Sequence, residues 1–331
     1  MWHDKGIIAT GGGRSFENVA VKDPSVFRYN DKYWLFYTAR GASSYTTVVR
    51  SAASLKGLGT ASPVDLETVW HGSGEQALVA PQVFFNEFDG FWYLVGQRRV
   101  VNRKISSLPV FSRTRRLNDI ASWSKPESMC DEVTFGDNHP YTAIDFWVIY
   151  DFLSKCFRLF YADQCGGIRM FSASVTDFPY GWSDGRRVIQ EQYGAESWEL
   201  HEAGHVYYLA DRQCWFMLVE GIRSRSSWAD YLNRFMLAYR TDRLDGEWTR
   251  INGRNSPFWL EREDIFSNDG YSLHQVSHPE FVRDDPSQTM TIDCFAELLI
   301  QETCKPFEKR IQYCDLEWRL RLLAPDKHGF L

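Results

Sequence analysis

Carboxylate and amide side chains recur at the start of strand-like segments in this chain. They are Asp23 in "KDPSV", Gln82 in "APQVF", Asp145 in "AIDFW", Glu202 in "HEAGH" and Glu280 in "SHPEF". Carboxylates gathered in a narrow space repel one another, which raises the pKa of at least one of them. General acid–base hydrolysis requires carboxylates whose pKa values are split in this way, so this set is a candidate hydrolytic site.

Some of these residues also have a structural explanation. Asp23 could cap the start of a strand, and Glu280 is expected to support the site through hydrogen bonds. Glu220 is a second-line candidate for which a surface role fits equally well. Asp145 lies within the apolar run "AIDFWVI", where a charge is costly unless it has a role. We therefore expect Asp23, Asp145 and Glu202 to carry the chemistry.

The elements that must position these residues form an internal repeat. Each segment has a polar strand start, an alternating strand, a turn rich in β-turn residues and an aromatic-rich strand. The segments are "DPSVFRYNDKYWLFYTA" from residue 23, "APQVFFNEFDGFWYLVGQ" from 80, "IDFWVIYDFLSKCFRLFYAD" from 144, "HEAGHVYYLADRQCWFMLVE" from 201 and "HPEFVRDDPSQTMTIDCFAE" from 278. Their starts recur at roughly the spacing of a four-stranded propeller blade with its loops.

We therefore predict an all-β fold, a five-bladed β-propeller that forms one domain over residues 1–331. The N-terminal segment is expected to complete the last blade. A β-sandwich of irregular hairpins is the alternative fold. In a propeller the first strand of each blade lines the central axis, so residues far apart in sequence converge on one face. The five polar positions named above are expected to meet there.

Composition limits the classes of partner. The 331 residues carry a net charge of −6 and no long basic run, which argues against nucleic acid. No run of 18 apolar residues occurs, so no membrane segment is predicted. Aromatic residues make up 16% of the chain, most of them expected in the core and some suited to stacking on sugars. We expect a monomer whose partner is an oligo- or polysaccharide.

Two further patterns argue against zinc and against a disulfide framework. The seven cysteines show no CxxC spacing. The "HEAGH" stretch matches H-E-x-x-H, but that zinc motif requires a helix, whereas "HVYYLA" after Gly204 predicts a strand. The start, "MWHDKGIIATGGG", lacks a basic-then-apolar signal pattern. A cytoplasmic protein and a secreted one whose leader was removed are both compatible with it.

In this order, "KDPSV", "APQVFF", "DFWVIYD", "HEAGHVY", "DGEWT" and "VSHPEF" resemble glycoside hydrolase family 62 over residues 20–323. The resemblance implies an inverting, exo-acting α-L-arabinofuranosidase with a five-bladed propeller fold. It assigns Asp23 as the general base, Glu202 as the general acid and Asp145 as the carboxylate that tunes the acid. Lys22 would contact the bound arabinose.

The same resemblance places a metal, commonly calcium with several waters, on the propeller axis beside His278. We expect this calcium to be structural, and we expect no organic cofactor. Gln82 is expected to line the axial site and to contact substrate. Trp318, in "WRL" where the family has Tyr-Arg-Leu, is expected to border the sugar pocket.

The chain departs from the family pattern around the cleft. Pro279 follows His278 where the family usually has Gly, "GSGEQALV" replaces a motif with a cleft arginine, and residues 224–234 form an insert-like stretch. These departures leave alternatives open. The protein could act on another furanoside or on xylosides, or it could be a carbohydrate-binding propeller without turnover.

Overall fold

The structure is a computed structural model that describes residues 2–70, 78–99, 107–131, 143–163, 167–183, 185–190, 198–223, 234–253, 258–261, 264–266, 276–303 and 318–331. The described strands form five sheets of four or five strands. The innermost strands of these sheets contact each other in a closed ring, so the sheets are the blades of a five-bladed β-propeller. This confirms the predicted fold class.

The strands in chain order are β1 (Trp2–Thr10), β2 (Ala20–Tyr29), β3 (Lys32–Arg40), β4 (Tyr45–Ala52), β5 (Val64–Asp65), β6 (Leu78–Asn86), β7 (Phe91–Arg99), β8 (Ser107–Thr114), β9 (Glu127–Ser128), β10 (Ile144–Asp151), β11 (Cys156–Ala162), β12 (Gly167–Ser174), β13 (Arg186–Gln190), β14 (Trp198–Leu209), β15 (Cys214–Arg223), β16 (Arg234–Thr241), β17 (Thr249–Ile251), β18 (Ile265–Phe266), β19 (Ser277–Phe281), β20 (Thr291–Ile292), β21 (Leu298–Thr303) and β22 (Trp318–Pro325). Blades 1 to 4 contain β2–β5, β6–β9, β10–β13 and β14–β17, with β20 beside β14. Blade 5 contains β19, β21, β22 and β1, with β18 at its edge. Helical structure in the described ranges comprises α1 (Glu67–Trp70), two 3₁₀ turns, Lys56–Gly59 and Ile120–Ser122, and the 3₁₀ residue Asp264.

The propeller closes by pairing the two ends of the chain within blade 5. β1 runs antiparallel to β22, as predicted for the N-terminal segment. Arg321 on β22 reinforces this closure, because its guanidinium donates to Asp4 on β1 and, over 3.2 Å, to Glu302 on β21. All three side chains are buried or nearly so, so the ring closure depends on a buried charge network.

Four of the five predicted hairpins are present. The fifth prediction is wrong, because the segment after the turn at 283–288 contributes β20 to blade 4 and β19 pairs with β21 instead. The first hairpin shows why its turn forms. β2 and β3 are joined by Asn30 and Asp31, whose φ angles are 49° and 58°. Two successive left-handed residues match the right-handed twist of the flanking strands, and Asn and Asp tolerate this conformation well. The turn therefore fixes the register of the hairpin that carries Asp23.

Aromatic rings fill the space between neighbouring blades. The rings of Phe27 in blade 1 and Trp92 in blade 2 stack with centroids 5.5 Å apart. The ring centroids of Trp147 in blade 3 and Tyr207 in blade 4 are 5.4 Å apart, and those of Tyr207 and Phe281 in blade 5 are 5.1 Å apart. These five side chains are buried, and burial of each large apolar side chain contributes about 1.5–3 kcal/mol. The interfaces between blades are thus rigid, apolar supports for the inner strands.

Within the part of the chain that the structure covers, we find no helix with the length and apolar character needed to cross a membrane.

Candidate active site

Each inner strand carries a β-bulge near its start, where its pairing with the second strand shifts register. One non-glycine residue in each bulge has a positive φ. These residues are Asp23 (49°), Ala80 (52°), Asp145 (56°), Ala203 (64°) and His278 (38°). A left-handed conformation costs a non-glycine residue about 1–2 kcal/mol, so the surrounding structure must hold it. The bulges bring Asp23, Asp145 and His278 to equivalent positions in three blades.

A ring of hydrogen bonds holds these five bulges, and we call it the upper ring. Each left-handed residue donates its backbone N–H to a side chain of the preceding blade. The bonds are Asp23 N to Gln301 Oε1 (3.1 Å), Ala80 N to Thr38 Oγ1 (2.8 Å), Asp145 N to Gln97 Oε1 (2.8 Å), Ala203 N to Asp145 Oδ2 (2.8 Å) and His278 N to Glu220 Oε2 (3.0 Å). The ring links all five blades at the level of the candidate site.

The imidazole of His278 lies at the centre of the carboxylate cluster. Its Nε2 is 3.3 Å from Asp145 Oδ2, 3.6 Å from Glu202 Oε2 and 3.7 Å from Asp23 Oδ1. The structure thus brings together the three carboxylates predicted from the sequence, which come from blades 1, 3 and 4. The side chains of all three are at most 11% exposed, so their charges act on one another with little screening by water.

The charges at this centre are strongly coupled. Burial lowers the pKa of His278, but the carboxylates of Asp23, Asp145 and Glu220 outweigh burial and raise that pKa to about 10. Burial raises the pKa of Asp145, but the charge and hydrogen bond of His278 outweigh it and bring the pKa below its usual value. His278 and Asp145 therefore form a buried ion pair at neutral pH.

Glu202 shares a buried arginine with Glu220. Arg234, at the start of β16, donates through Nη1 to Glu202 Oε2 over 2.7 Å and also to Glu220 Oε1. Glu220 additionally accepts from Ser277 Oγ (2.7 Å) and from the N–H of His278. Glu220 is fully buried, so the surface role considered for it is wrong. Sequence reasoning gave Arg234 no role, because an arginine at the end of the insert-like stretch carries no positional signal.

A cavity of about 710 Å³ opens beside Asp23 between blades 1 and 2. Lys22 lines it, with Nζ 4.0 Å from Asp23 Oδ1. Polar and aromatic groups complete the wall, among them Tyr45, Asp65 and Arg99. A cavity of this size with two aromatic rings, Phe16 and Tyr45, and several polar groups suits a sugar. The contact of Lys22 with arabinose stays a prediction.

Gln82 and Glu280 do not join this site, which corrects the expectation that they occupy positions equivalent to Asp23. Both lie two residues beyond a left-handed residue, on the buried part of the inner strand. The side-chain amide of Gln82 donates through Nε2 to Val148 O and accepts through Oε1 from Val148 N, with both hydrogen bonds 2.7 Å long. Glu280 accepts from Tyr207 Oη (2.6 Å) and lies 3.5 Å from Arg283 Nε. Gln82 is 1% exposed and is not among the residues that line the cavity beside Asp23, so the structure does not place it at that cavity.

The residues at this second level form a lower ring between blades. Its members lie two residues after the left-handed ones and are Ser25, Gln82, Trp147, His205 and Glu280. Ser25 accepts from Val83 N (3.1 Å), and the indole of Trp147 donates to Val206 O (2.8 Å). These contacts hold ordinary strand backbone, so the lower ring is structural.

Two other sequence expectations concern Trp318 and the zinc motif. Trp318 begins β22 with its side chain 2% exposed, and it is not among the residues that line the cavity beside Asp23. The motif "HEAGH" lies in β14, a strand, as expected. The imidazole of His205 stacks on Trp147 at 4.3 Å and its Nδ1 donates to Pro279 O over 3.1 Å. Residues 71–77 and 224–233, which hold most of the two divergent stretches, lie outside the described residues.

One group in the described ranges has the composition of a cation site. Atoms of Asp145, Glu202 and His278 lie within 4.8 Å of one another. Asp23 Oδ1, also close to His278, is buried and accepts no hydrogen bond, so an oxygen that could face a cation is present. Calcium takes six to eight mainly oxygen ligands, so water would have to complete its shell. The donors fit a hydrated cation, provided that His278 gives up its Nε2 proton.

Comparison with known proteins agrees with this geometry. The family model described as glycosyl hydrolase family 62 matches residues 17–324. A curated relative, alpha-L-arabinofuranosidase C of Cellvibrio japonicus, is 26% identical over 311 residues, which cover 93% of this chain and 45% of the relative. The chain thus spans less than half the length of that relative.

Solved structures show the same fold. The catalytic domain of a family 62 α-L-arabinofuranosidase from Coprinopsis cinerea superposes with a TM-score of 0.82 at 24% identity, over 98% of this chain and 96% of that one. The α-L-arabinofuranosidase PaAbf62A from Podospora anserina, solved with cellotriose, gives a TM-score of 0.80 at 24% identity, with the same coverage. A thermostable family 43 glycoside hydrolase is more distant, with a TM-score of 0.63 at 13% identity over 96% of this chain and 90% of that one.

Proposed function

Because this chain belongs to glycosyl hydrolase family 62, we propose that it is an inverting α-L-arabinofuranosidase. Its substrates would be arabinoxylan- or arabinan-type polysaccharides, from which it removes single arabinofuranosyl side groups. The observation that carries the proposal is the convergence of Asp23, Asp145 and Glu202 on His278 beside a sugar-sized cavity. The curated relative bears the name of this activity.

In the proposed reaction, Asp23 accepts a proton from a water molecule, whose oxygen attacks the anomeric carbon. Glu202 donates its proton to the glycosidic oxygen, and the bond between that oxygen and the anomeric carbon breaks. Asp23 Oδ1 and Glu202 Oε2 are at most 7.3 Å apart, the sum of their distances to His278 Nε2. Inverting glycosidases place their carboxyl groups about 6.5–9.5 Å apart, leaving room for the water, and retaining ones about 5–5.5 Å apart. The upper bound admits both separations, so the proposal of inversion rests on the family and not on this distance.

Asp145 and Lys22 would support these two residues. Asp145 accepts from Ala203 N, the backbone group next to Glu202, and its carboxylate pairs with His278. It therefore fixes the strand segment that carries the acid. Lys22 faces both the cavity and Asp23, where its ammonium can donate to a sugar hydroxyl while it keeps the charge of Asp23 balanced.

We further propose a calcium ion bound beside His278, with Asp145 and Glu202 facing it. When bound, the ion would supply positive charge to the carboxylate cluster. Its role would be structural, because hard cations with several water ligands bind loosely and hold the surrounding oxygens in place. The residues that perform the proton transfers remain Asp23 and Glu202.

The proposal is tested by measuring arabinose release from arabinoxylan, arabinan, and aryl furanosides and xylosides. The Asp23→Asn variant should lose about 100- to 10,000-fold in kcat, the contribution typical of a general base. The control, Asp31→Asn, changes an exposed acid at the far end of the same hairpin and should keep full activity. NMR of the first product should show the β-anomer of arabinose. Equal activity of Asp23→Asn and wild type would refute the base assignment.

The outcome with other substrates separates the alternatives. Release of xylose from xylosides, without arabinose release, would identify the protein as a xylosidase and overturn the proposed arabinofuranosidase activity. Binding of oligosaccharide without release of any sugar would mean a carbohydrate-binding propeller.

A further inference from the structure

We propose that Gln301 and Gln97 are positioning residues for catalysis, acting through the backbone amides of Asp23 and Asp145. Each glutamine accepts the N–H of a left-handed residue whose side chain belongs to the candidate site. This inference rests on the proposed hydrolysis, because its expected effect is a change in the kcat of that reaction. It assigns a function to two residues that hydrogen-bond to the main chain of the aspartates.

The first support is conformational. Asp23 and Asp145 have φ angles of 49° and 56°, a left-handed conformation that aspartate enters more readily than most residues but that departs from ordinary strand geometry. Side-chain direction follows backbone direction, so a bulge that relaxed to ordinary strand geometry would turn its carboxylate away from His278. An acceptor that reaches the N–H only in the left-handed state therefore selects the productive direction of the carboxylate.

The second support is positional. The acceptors of the upper ring in four blades occupy one position of the second strand, directly opposite the residue that precedes the bulge: Thr38, Gln97, Glu220 and Gln301. Threonine, glutamine and glutamate differ in size and charge but share an oxygen acceptor. In blade 3 the position is Ala162, and there the carboxylate of Asp145 accepts instead. Every one of the five bulges thus has an oxygen acceptor for its left-handed residue, although the residue that supplies it differs.

The third support is that Gln301 can act on substrate only indirectly. Its side chain is fully buried, and it is not among the residues that line the cavity beside Asp23. Gln97 does line that cavity, so a substitution there could also remove a sugar contact. Gln301 is therefore the cleaner test, and Gln97 is the second variant.

The experiment compares one substitution at three glutamines that all bridge neighbouring blades. Gln301→Leu and Gln97→Leu remove an acceptor from the upper ring, whereas Gln82→Leu removes two bonds from the lower ring. Each variant is assayed for kcat and KM on arabinoxylan oligosaccharides and on an aryl arabinofuranoside, and for its thermal unfolding midpoint. The aryl leaving group needs little protonation, so a defect in the base persists with it and a defect in the acid does not.

We expect Gln301→Leu to lower kcat by about 10- to 100-fold on both substrates, with KM changed less than about threefold, because a small misplacement of a reacting group has this effect. Gln97→Leu should lower kcat more on the oligosaccharide than on the aryl substrate. Gln82→Leu should lower the unfolding midpoint at least as much while its kcat stays within about twofold of wild type.

Three results would count against the inference or its premise. If Gln301→Leu and Gln82→Leu show equal kcat at equal loss of stability, the upper ring is structural only and the inference is wrong. If kcat of Gln301→Leu equals that of wild type, the bulge at Asp23 needs no acceptor, and the inference is again wrong. If wild type itself releases no sugar, the proposed function fails, and this outcome is distinct from the other two. Should Gln301→Leu not fold, the oligosaccharide-to-aryl ratio of Gln97→Leu decides.

Discussion

Asp145→Ala should remove two interactions at once, and Ala162→Thr should restore only one of them. Asp145 accepts the N–H of Ala203 and pairs with His278. In blade 1 the residue equivalent to Ala162 is Thr38, whose hydroxyl accepts the corresponding N–H over 2.8 Å. A threonine introduced in blade 3 should therefore take over the hydrogen bond and leave the ion pair missing.

The magnitude follows from the type of bond. A hydrogen bond from a buried amide to a charged group contributes about 1.5–3 kcal/mol, and one to a neutral hydroxyl about 0.5–1.5 kcal/mol. In wild type the N–H of Ala203 is already bonded to Asp145, so Ala162→Thr gains no hydrogen bond there. In the Asp145→Ala variant the same substitution should raise the free energy of unfolding by about 1 kcal/mol more than it does in wild type. For a chain of this length, 1 kcal/mol shifts Tm by about 1–2 °C.

The assay is a double-mutant cycle of unfolding by denaturant and heat, with kcat measured on the same four proteins. Ala162→Thr alone reports the packing strain of a larger side chain at a buried position. The double variant should be more stable than the two single effects predict, yet its kcat should stay as low as that of Asp145→Ala. Zero coupling would refute the upper ring at blade 3, and recovered turnover would show that the charge of Asp145 is not needed.

Two further predictions concern stability. Arg321→Met should leave the buried carboxylates of Asp4 and Glu302 without their charged partner. The expected loss in the free energy of unfolding is about 3–5 kcal/mol, seen as a Tm lower by about 4–8 °C. The control Arg28→Met breaks an exposed ion pair and should cost under about 1 kcal/mol. Similar losses for the two would contradict a charge-dependent ring closure. Added calcium should raise the Tm of wild type, with about 2.7 kcal/mol gained at a hundredfold excess over Kd, and His278→Leu should abolish this dependence. A wild-type Tm insensitive to calcium would rule out the proposed ion.

Local chemistry in the sequence determined the strands, the turns and the number of blades. Alternating apolar residues and turns such as Asn30–Asp31 specify hairpins without reference to the rest of the chain. Because the segments repeat five times, the propeller and the convergence of strand starts follow from the pattern. Asp145 stood out because it interrupts an apolar run, and the motifs around Asp23 and Glu202 carried a family resemblance.

Only the tertiary structure decided which polar residues share a level along the axis. A bulge changes which face a strand residue occupies, and its location leaves no periodic trace in the sequence. That is why Gln82 and Glu280 looked equivalent to Asp23 but lie in the lower ring. Arg234 meets Glu202 only because β14 and β16 flank the same strand. The upper ring likewise exists only when all five blades close, since each bond joins residues of different blades.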